Sequence, residues 1–149
     1  MEKIEFKNLP DTNTPINAEN LNQMQTNTEN AINGVVESGS NDKGSWTKWA
    51  DGTMICTRTI PVNNASVSSA WGTLYYYQDA NTYEFAKAFI NTPTGFDMFF
   101  QPTAANGCWL CNYGQQSVTK YAFKNFTLMR PTSNTVSGNL FVTAIGRWK

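Results

Sequence analysis

In the stretch Gly44-Ser-Trp-Thr-Lys-Trp-Ala-Asp-Gly-Thr-Met-Ile-Cys-Thr-Arg-Thr-Ile60, the residues after Thr53 alternate in character. Met54, Cys56, Arg58 and Ile60 fall on one face of an extended chain and Ile55, Thr57 and Thr59 on the other. A period of two marks a β-strand, because successive Cβ atoms of an extended backbone point to opposite sides. Ala50-Asp51-Gly52 separates this run from Trp46-Thr-Lys-Trp49. Asp-Gly between two strand-like runs predicts a hairpin, since glycine accepts the positive φ that tight turns demand.

Toward the C-terminus, further strand-like runs cover Gly72 to Tyr77, Glu84 to Ile90, Phe96 to Gln101, Trp109 to Tyr113, Tyr121 to Met129 and Asn139 to Trp148. Asn, Pro and Gly punctuate them, and many short strands joined by turns predict a mainly β fold, an antiparallel β-sandwich of jelly-roll-like type. Within Tyr121 to Met129, Tyr121 and Phe123 share one parity while Phe126 and Leu128 share the other. A bulge or bend near Asn125 is needed to turn all four inward. From Leu140 to Trp148 both parities are apolar, which predicts a central strand covered on both faces.

Upstream of the hairpin the period changes. Asn13-Thr-Pro-Ile-Asn-Ala-Glu-Asn20 carries helix-start chemistry, since Thr caps free amide groups and Pro at the first helical position has no N–H to lose. From a helix begun near Pro15, Asn17, Leu21, Met24, Thr28, Ala31 and Val35 recur at spacings of four and three, an a/d heptad seam that Ile32 widens. A lone helix of about 20 residues is marginal in water and needs a partner. Either it packs on its own β domain or it associates with parallel copies through Leu21, Met24, Thr28, Ala31 and Val35. The polar, Gly/Ser-rich run Glu37 to Gly44 resembles a module-separating linker and favours association. The expected organisation is an N-terminal segment and stalk helix over 1–37, a linker over 38–44 and a β-sandwich head over 45–149, the helix forming a coiled-coil stalk.

Composition excludes several classes of function. Charged residues make up 15% of the 149 positions and the formal net charge is +0, so no basic field is expected to hold nucleic acid. No apolar run approaches the roughly 18 residues of a membrane span, and the charged opening Glu2 to Lys7 is unlike a secretory signal. No membrane insertion is expected. Three cysteines, Cys56, Cys108 and Cys111, are an odd set that fits thiols made in a reducing compartment.

The chain has no histidine, which removes the commonest general base and metal ligand together with Ser-His and Cys-His schemes. Cys108-Trp-Leu-Cys111 has C-x-x-C form, but a structural zinc site needs four ligands and only Cys56 remains to help. The head's acids Asp51, Asp79, Glu84 and Asp97 mostly lie beside turn-forming residues. No glycine cluster opens a helix after a strand as a phosphate loop would. The expectation is no catalytic residue, no metal and no cofactor: a binding protein and not an enzyme.

Aromatic residues are more informative. Trp71, Tyr75, Tyr76, Tyr77, Tyr83, Trp109 and Tyr113 exceed what core filling demands, and rings with a polar tip suit platforms for sugars or protein partners. For any single ring the competing role is core or subunit interface, as for Trp46, Trp49 and Trp148. Three consecutive tyrosines must turn at least one ring away from a given core face, and Tyr76 is that ring. Tyr76, Tyr83, Trp109 and Tyr113 are the candidate ligand-binding residues.

Two stretches carry a family resemblance. Ile4-Glu-Phe-Lys-Asn-Leu-Pro-Asp-Thr-Asn-Thr-Pro-Ile-Asn-Ala-Glu-Asn-Leu-Asn-Gln-Met24 resembles the N-terminal segment of tail fibre and baseplate-proximal proteins of phages that infect Gram-positive bacteria. Gly44 to Thr53, with the closing Ala144-Ile-Gly-Arg-Trp-Lys149, resembles the C-terminal head domain of phage tail fibres, in which a W-x-K-W-x-D-G-T hairpin opens the domain and an I-G-R-W strand closes it. The resemblance does not extend to the middle of the head, Ala65 to Thr119, where receptor specificity is expected to lie. It implies a homotrimeric head on a trimeric stalk, located in the virion tail after assembly in the host cytoplasm. It also implies attachment to a host cell-wall saccharide or another receptor, with other tail and baseplate proteins as partners. A structural baseplate or tail decoration contacting only virion proteins is the alternative. A surface depolymerase ranks last, because such enzymes have a long shaft or catalytic domain.

Overall fold

The computed structural model describes residues 18–103, 107–111 and 117–149. The chain is mainly β. One helix, α1 (Ala18–Asn33), precedes β1 (Val35–Asn41), β2 (Gly44–Trp49), β3 (Thr53–Val67), β4 (Ser69–Trp71), β5 (Leu74–Glu84), β6 (Gly95–Pro102), β7 (Trp109–Cys111), β8 (Ser117–Val118), β9 (Ala122–Arg130) and β10 (Asn134–Arg147). One sheet has the order β1-β2-β3-β10-β6 and the other β4-β5-β9-β7, with β8 also on β9. Every pairing is antiparallel.

The expected hairpin is present. Gly52 has φ 92°, and the Asp51 carboxylate accepts the Thr53 amide at 2.8 Å and its hydroxyl at 2.9 Å. The residues after the turn then bury one parity: Met54, Cys56 and Ile60 lie in the core. Their partners are Leu140, Val142 and Ala144 of β10 and Phe123, Phe126 and Leu128 of β9, so the two sheets enclose one core in a sandwich-like arrangement. Phe96 meets Phe123 between the sheets at 5.2 Å between ring centroids. Each fully buried core side chain, such as Phe123 or Leu140, contributes about 1.5–3 kcal/mol of hydrophobic stabilisation.

The bulge also falls where parity requires it. Asp79 pairs with Phe126 and Thr82 with Lys124, leaving Ala80 and Asn81 opposite Asn125. Asn125 takes φ 63°, and Phe123, Phe126 and Leu128 all reach the core. Tyr121 does not join them; it precedes β9 and stays exposed.

Four sequence expectations are corrected by pairing. Val35, assigned to the helical seam, is the first residue of β1 and pairs with Trp49, because Gly34 at φ 64° ends α1 in a left-handed turn. The expected linker 38–44 is instead the end of β1, a turn at 42–43 and the start of β2. Gly39 is there for packing: a Cβ would stand 2.5 Å from the Trp46 ring. Glu84 to Ile90 leaves the strand after Glu84, since the amides of Phe85, Phe89 and Ile90 are claimed by the carbonyls of Tyr121, Lys120 and Arg147. This segment turns Phe85 and Phe89 into the core, edge to face at 5.3 Å. Finally, β10 lies inside its sheet, but among the described residues only one of its faces is covered, leaving Phe141 and Ile145 exposed.

Among the described residues, α1 forms no extended interface with any strand. Met24 is 64% exposed. Thr28, the next seam residue, turns its hydroxyl back onto the Met24 carbonyl at 2.9 Å.

Candidate functional site

Antiparallel registry places the predicted aromatic residues. Tyr76 of β5 and Trp109 of β7 both pair with Met129 of β9, one from each side. The three therefore form a row across the second sheet, on the face opposite Tyr75, Tyr77 and Leu110, which pack against the core. Met129 is buried, while Trp109 remains 45% exposed and Tyr76 half-buried. The structure thus brings Tyr76 and Trp109 onto one surface. Tyr113 lies outside the described residues.

Tyr83 is engaged elsewhere, which corrects its assignment as an open platform. Its ring stacks on Phe123 at 5.3 Å, and its hydroxyl donates to the buried Asp79 carboxylate at 3.1 Å. Tyr77 donates to the same oxygen at 3.3 Å, and Asn81 supplies its backbone N–H at 2.8 Å and its amide at 3.1 Å. Burial, with the Asp79 charge second, pushes the Tyr83 phenol up to about 12, so it stays a hydrogen-bond donor. Asp79 is fully engaged by the β5 bulge and orders it.

A second surface was illegible in the sequence. On the outer face of the first sheet, Phe99 is 59% exposed and stacks with Phe141 at 6.3 Å. Ile145 continues this strip along β10, beside Thr57, Thr59 and Thr143. Alternation revealed that β10 has two apolar parities; only the sheet order shows that, among the described residues, nothing covers the second.

Other chemistry is limited. Cys56, Cys108 and Cys111 are free thiols, and burial pushes the first two up from their ordinary pKa values. Among the described residues no cluster of three or more His, Cys, Asp or Glu side chains is placed to hold a metal ion. No helix among them is long and apolar enough to cross a membrane.

No protein-family model matches the chain, and no curated protein matches it. Its fold is similar to that of an N-truncated R1-type pyocin tail fibre, with a TM-score of 0.51 and 15% identity over 81% of this chain and 94% of that one. A longer C-terminal portion of the Pseudomonas aeruginosa R1 pyocin fibre gives the same TM-score and identity, again over 81% of this chain; the chain spans 31% of that structure. The fold is therefore tail-fibre-like.

Proposed function

We propose that the chain is a non-enzymatic tail-fibre-type protein that acts in a virion tail, as a homotrimer, to attach the particle to a host cell-wall saccharide. The likeness to the R1-type pyocin tail fibre, which spans 94% of that chain, carries this reading. Self-association is supported by α1, whose seam residue Met24 is exposed on a helix without an extended interface to any strand. The Phe99, Phe141 and Ile145 strip offers further apolar surface for a second copy. A saccharide role is supported by Trp109 and Tyr76 on one outer face, rings of the amphipathic kind that stack on sugars. Weak sites suffice, because three linked copies gain avidity without new contacts.

The same apolar strip favours a second reading, a structural tail decoration, since an uncharged phenylalanine surface suits a protein partner better than a sugar. Light scattering and cell adsorption together test the first. The expected results are a mass about three times 16.7 kDa and adsorption to host cells that periodate oxidation of their surface glycans abolishes. A monomer rejects the trimer; adsorption only to purified tails favours decoration.

A further inference from the structure

A groove of about 380 Å³ opens where the β1–β2 turn, the segment after β5 and Tyr121 meet. Residues 84–88 line one wall, and their backbone is tied down at several points. Arg58 donates to the Glu84 carbonyl at 2.7 Å, Asn41 to the Ala86 carbonyl at 2.9 Å and the Cys56 thiol to the Lys87 carbonyl at 3.5 Å. The Phe85 amide donates to the Tyr121 carbonyl at 2.9 Å, which fixes the aromatic side of the groove against the opposite wall. The groove is thus preorganised, the condition under which a small polar ligand binds with least ordering cost.

Its rim combines a ring with charges. Tyr121 is 58% exposed, with the Lys120 ammonium 4.9 Å from its ring centroid. Lys43 forms an ion pair with Glu84, and Lys87 lies 5.2 Å from the Trp46 ring and 3.5 Å from Glu37. Of the charged residues that line the groove, two are cations, Lys43 and Lys87, and one is a carboxylate, Glu84. This local excess belongs to a wider asymmetry hidden in the neutral total: residues 34–149 carry nine Lys and Arg against six Asp and Glu, and residues 1–33 carry two against five.

We propose that this groove binds one residue of an acidic polysaccharide: the sugar ring lies on Tyr121, its hydroxyls donate to Glu84, and its carboxylate or phosphate reaches Lys43 and Lys87. This deepens the attachment reading and rests on it, by giving the receptor a charge. Aromatic stacking selects a pyranose-like face, the Glu84 carboxylate selects hydroxyl donors, and the lysines select the anion.

Calorimetric titration of the full chain tests it, with an oligoglucuronate, a phosphodiester-linked oligosaccharide and a neutral malto-oligosaccharide of matched length as probes. At least one acidic probe binds about tenfold or more tightly than the neutral one, the difference expected of a charge-assisted contact, and its affinity falls as sodium chloride rises. Which acidic probe binds separates a uronate from a phosphate receptor. Tyr121→Ala and Lys87→Gln each weaken that binding about tenfold. No binding by either acidic probe, equal binding of the neutral probe, or undiminished binding by Tyr121→Ala overturns the proposal. Adsorption to host cells separates its failure from that of attachment itself. A Tyr121→Ala chain that adsorbs like its parent discards the groove alone, while a parent chain that does not adsorb discards attachment.

Discussion

The indole N–H of Trp148 donates to the backbone carbonyl of Trp49 at 2.9 Å, joining the residue after β10 to the β2–β3 hairpin across 99 positions of sequence. The Trp148 amide reaches the Gly52 carbonyl at 3.0 Å in the same turn. The W-x-K-W hairpin and the closing I-G-R-W stretch are therefore one structural unit, a clasp that fixes the end of β10 to the β2–β3 turn. Replacing Trp148 by Phe keeps a ring but removes the donor, and is expected to lower stability by about 1–2 kcal/mol. Urea unfolding measures it. An unchanged midpoint would show that water replaces the bond at no cost and that the clasp is packing alone.

The Asp79 cluster predicts an alkaline transition. Tyr83 has its phenol pushed up from 10.0 to about 12, so the folded chain holds this proton more tightly than the unfolded one. A raised folded pKa contributes stability that is fully present below pH 10 and is lost as pH rises through about 12. Burial and the same carboxylate also push Tyr77 upward. Tyrosinate absorbance should therefore show tyrosines that resist ionisation until the fold opens, and unfolding free energy should fall across that window. In Tyr83→Phe the fall should shrink; a decline of the same size would place its origin elsewhere.

Arg130 makes the opposite kind of prediction. The residue is 7% exposed, its NH2 reaches the Thr132 hydroxyl only at 3.4 Å, and Nε and NH1 have no hydrogen-bond partner among the described residues. A buried cation without a full set of partners retains much of its desolvation penalty, so an apolar side chain of similar length is expected to be neutral or stabilising by about 1–2 kcal/mol. Thermal unfolding of Arg130→Met tests this. A loss exceeding about 2 kcal/mol would mean that the guanidinium is paired in solution by a group outside the described residues.

What the sequence disclosed and what it hid divide along physical lines. Met54 to Ile60 announced a half-buried strand because one parity faces the core, and the parity break between Phe123 and Phe126 announced the bulge at Asn125. Both signals are local. Gly39 misled because glycine marks either flexibility or close approach, and only the Trp46 ring above it tells which. Glu84 to Ile90 misled because its strand-like composition is overridden by distant carbonyls that capture its amides. The parity of three tyrosines made legible that Tyr76 turns to the face opposite Tyr75 and Tyr77. The role of Tyr83 was not legible, since it depends on Asp79 across the bulge. Tyr121 was read as a core residue, so the groove it borders could not be seen.

Association is the remaining test, and two surfaces make separable contributions to it. Met24 is exposed on a helix with no extended interface to the strands, and such a helix is marginal alone, so Leu21→Asp with Met24→Asp should unseat the stalk. Phe141 stacks with Phe99, both exposed on the outer face of the first sheet, and Phe141→Asp places a charge there. If both surfaces bind copies of the chain, each variant lowers the solution mass measured by light scattering, and the combination yields a monomer with an unchanged β circular dichroism signal. If only the helical variant dissociates, copies join through the stalk and the phenylalanine face is left for another tail protein. If mass falls only with Phe141→Asp, the heads hold the assembly and α1 is carried passively. A mass that neither variant changes rejects the homotrimer built on these surfaces.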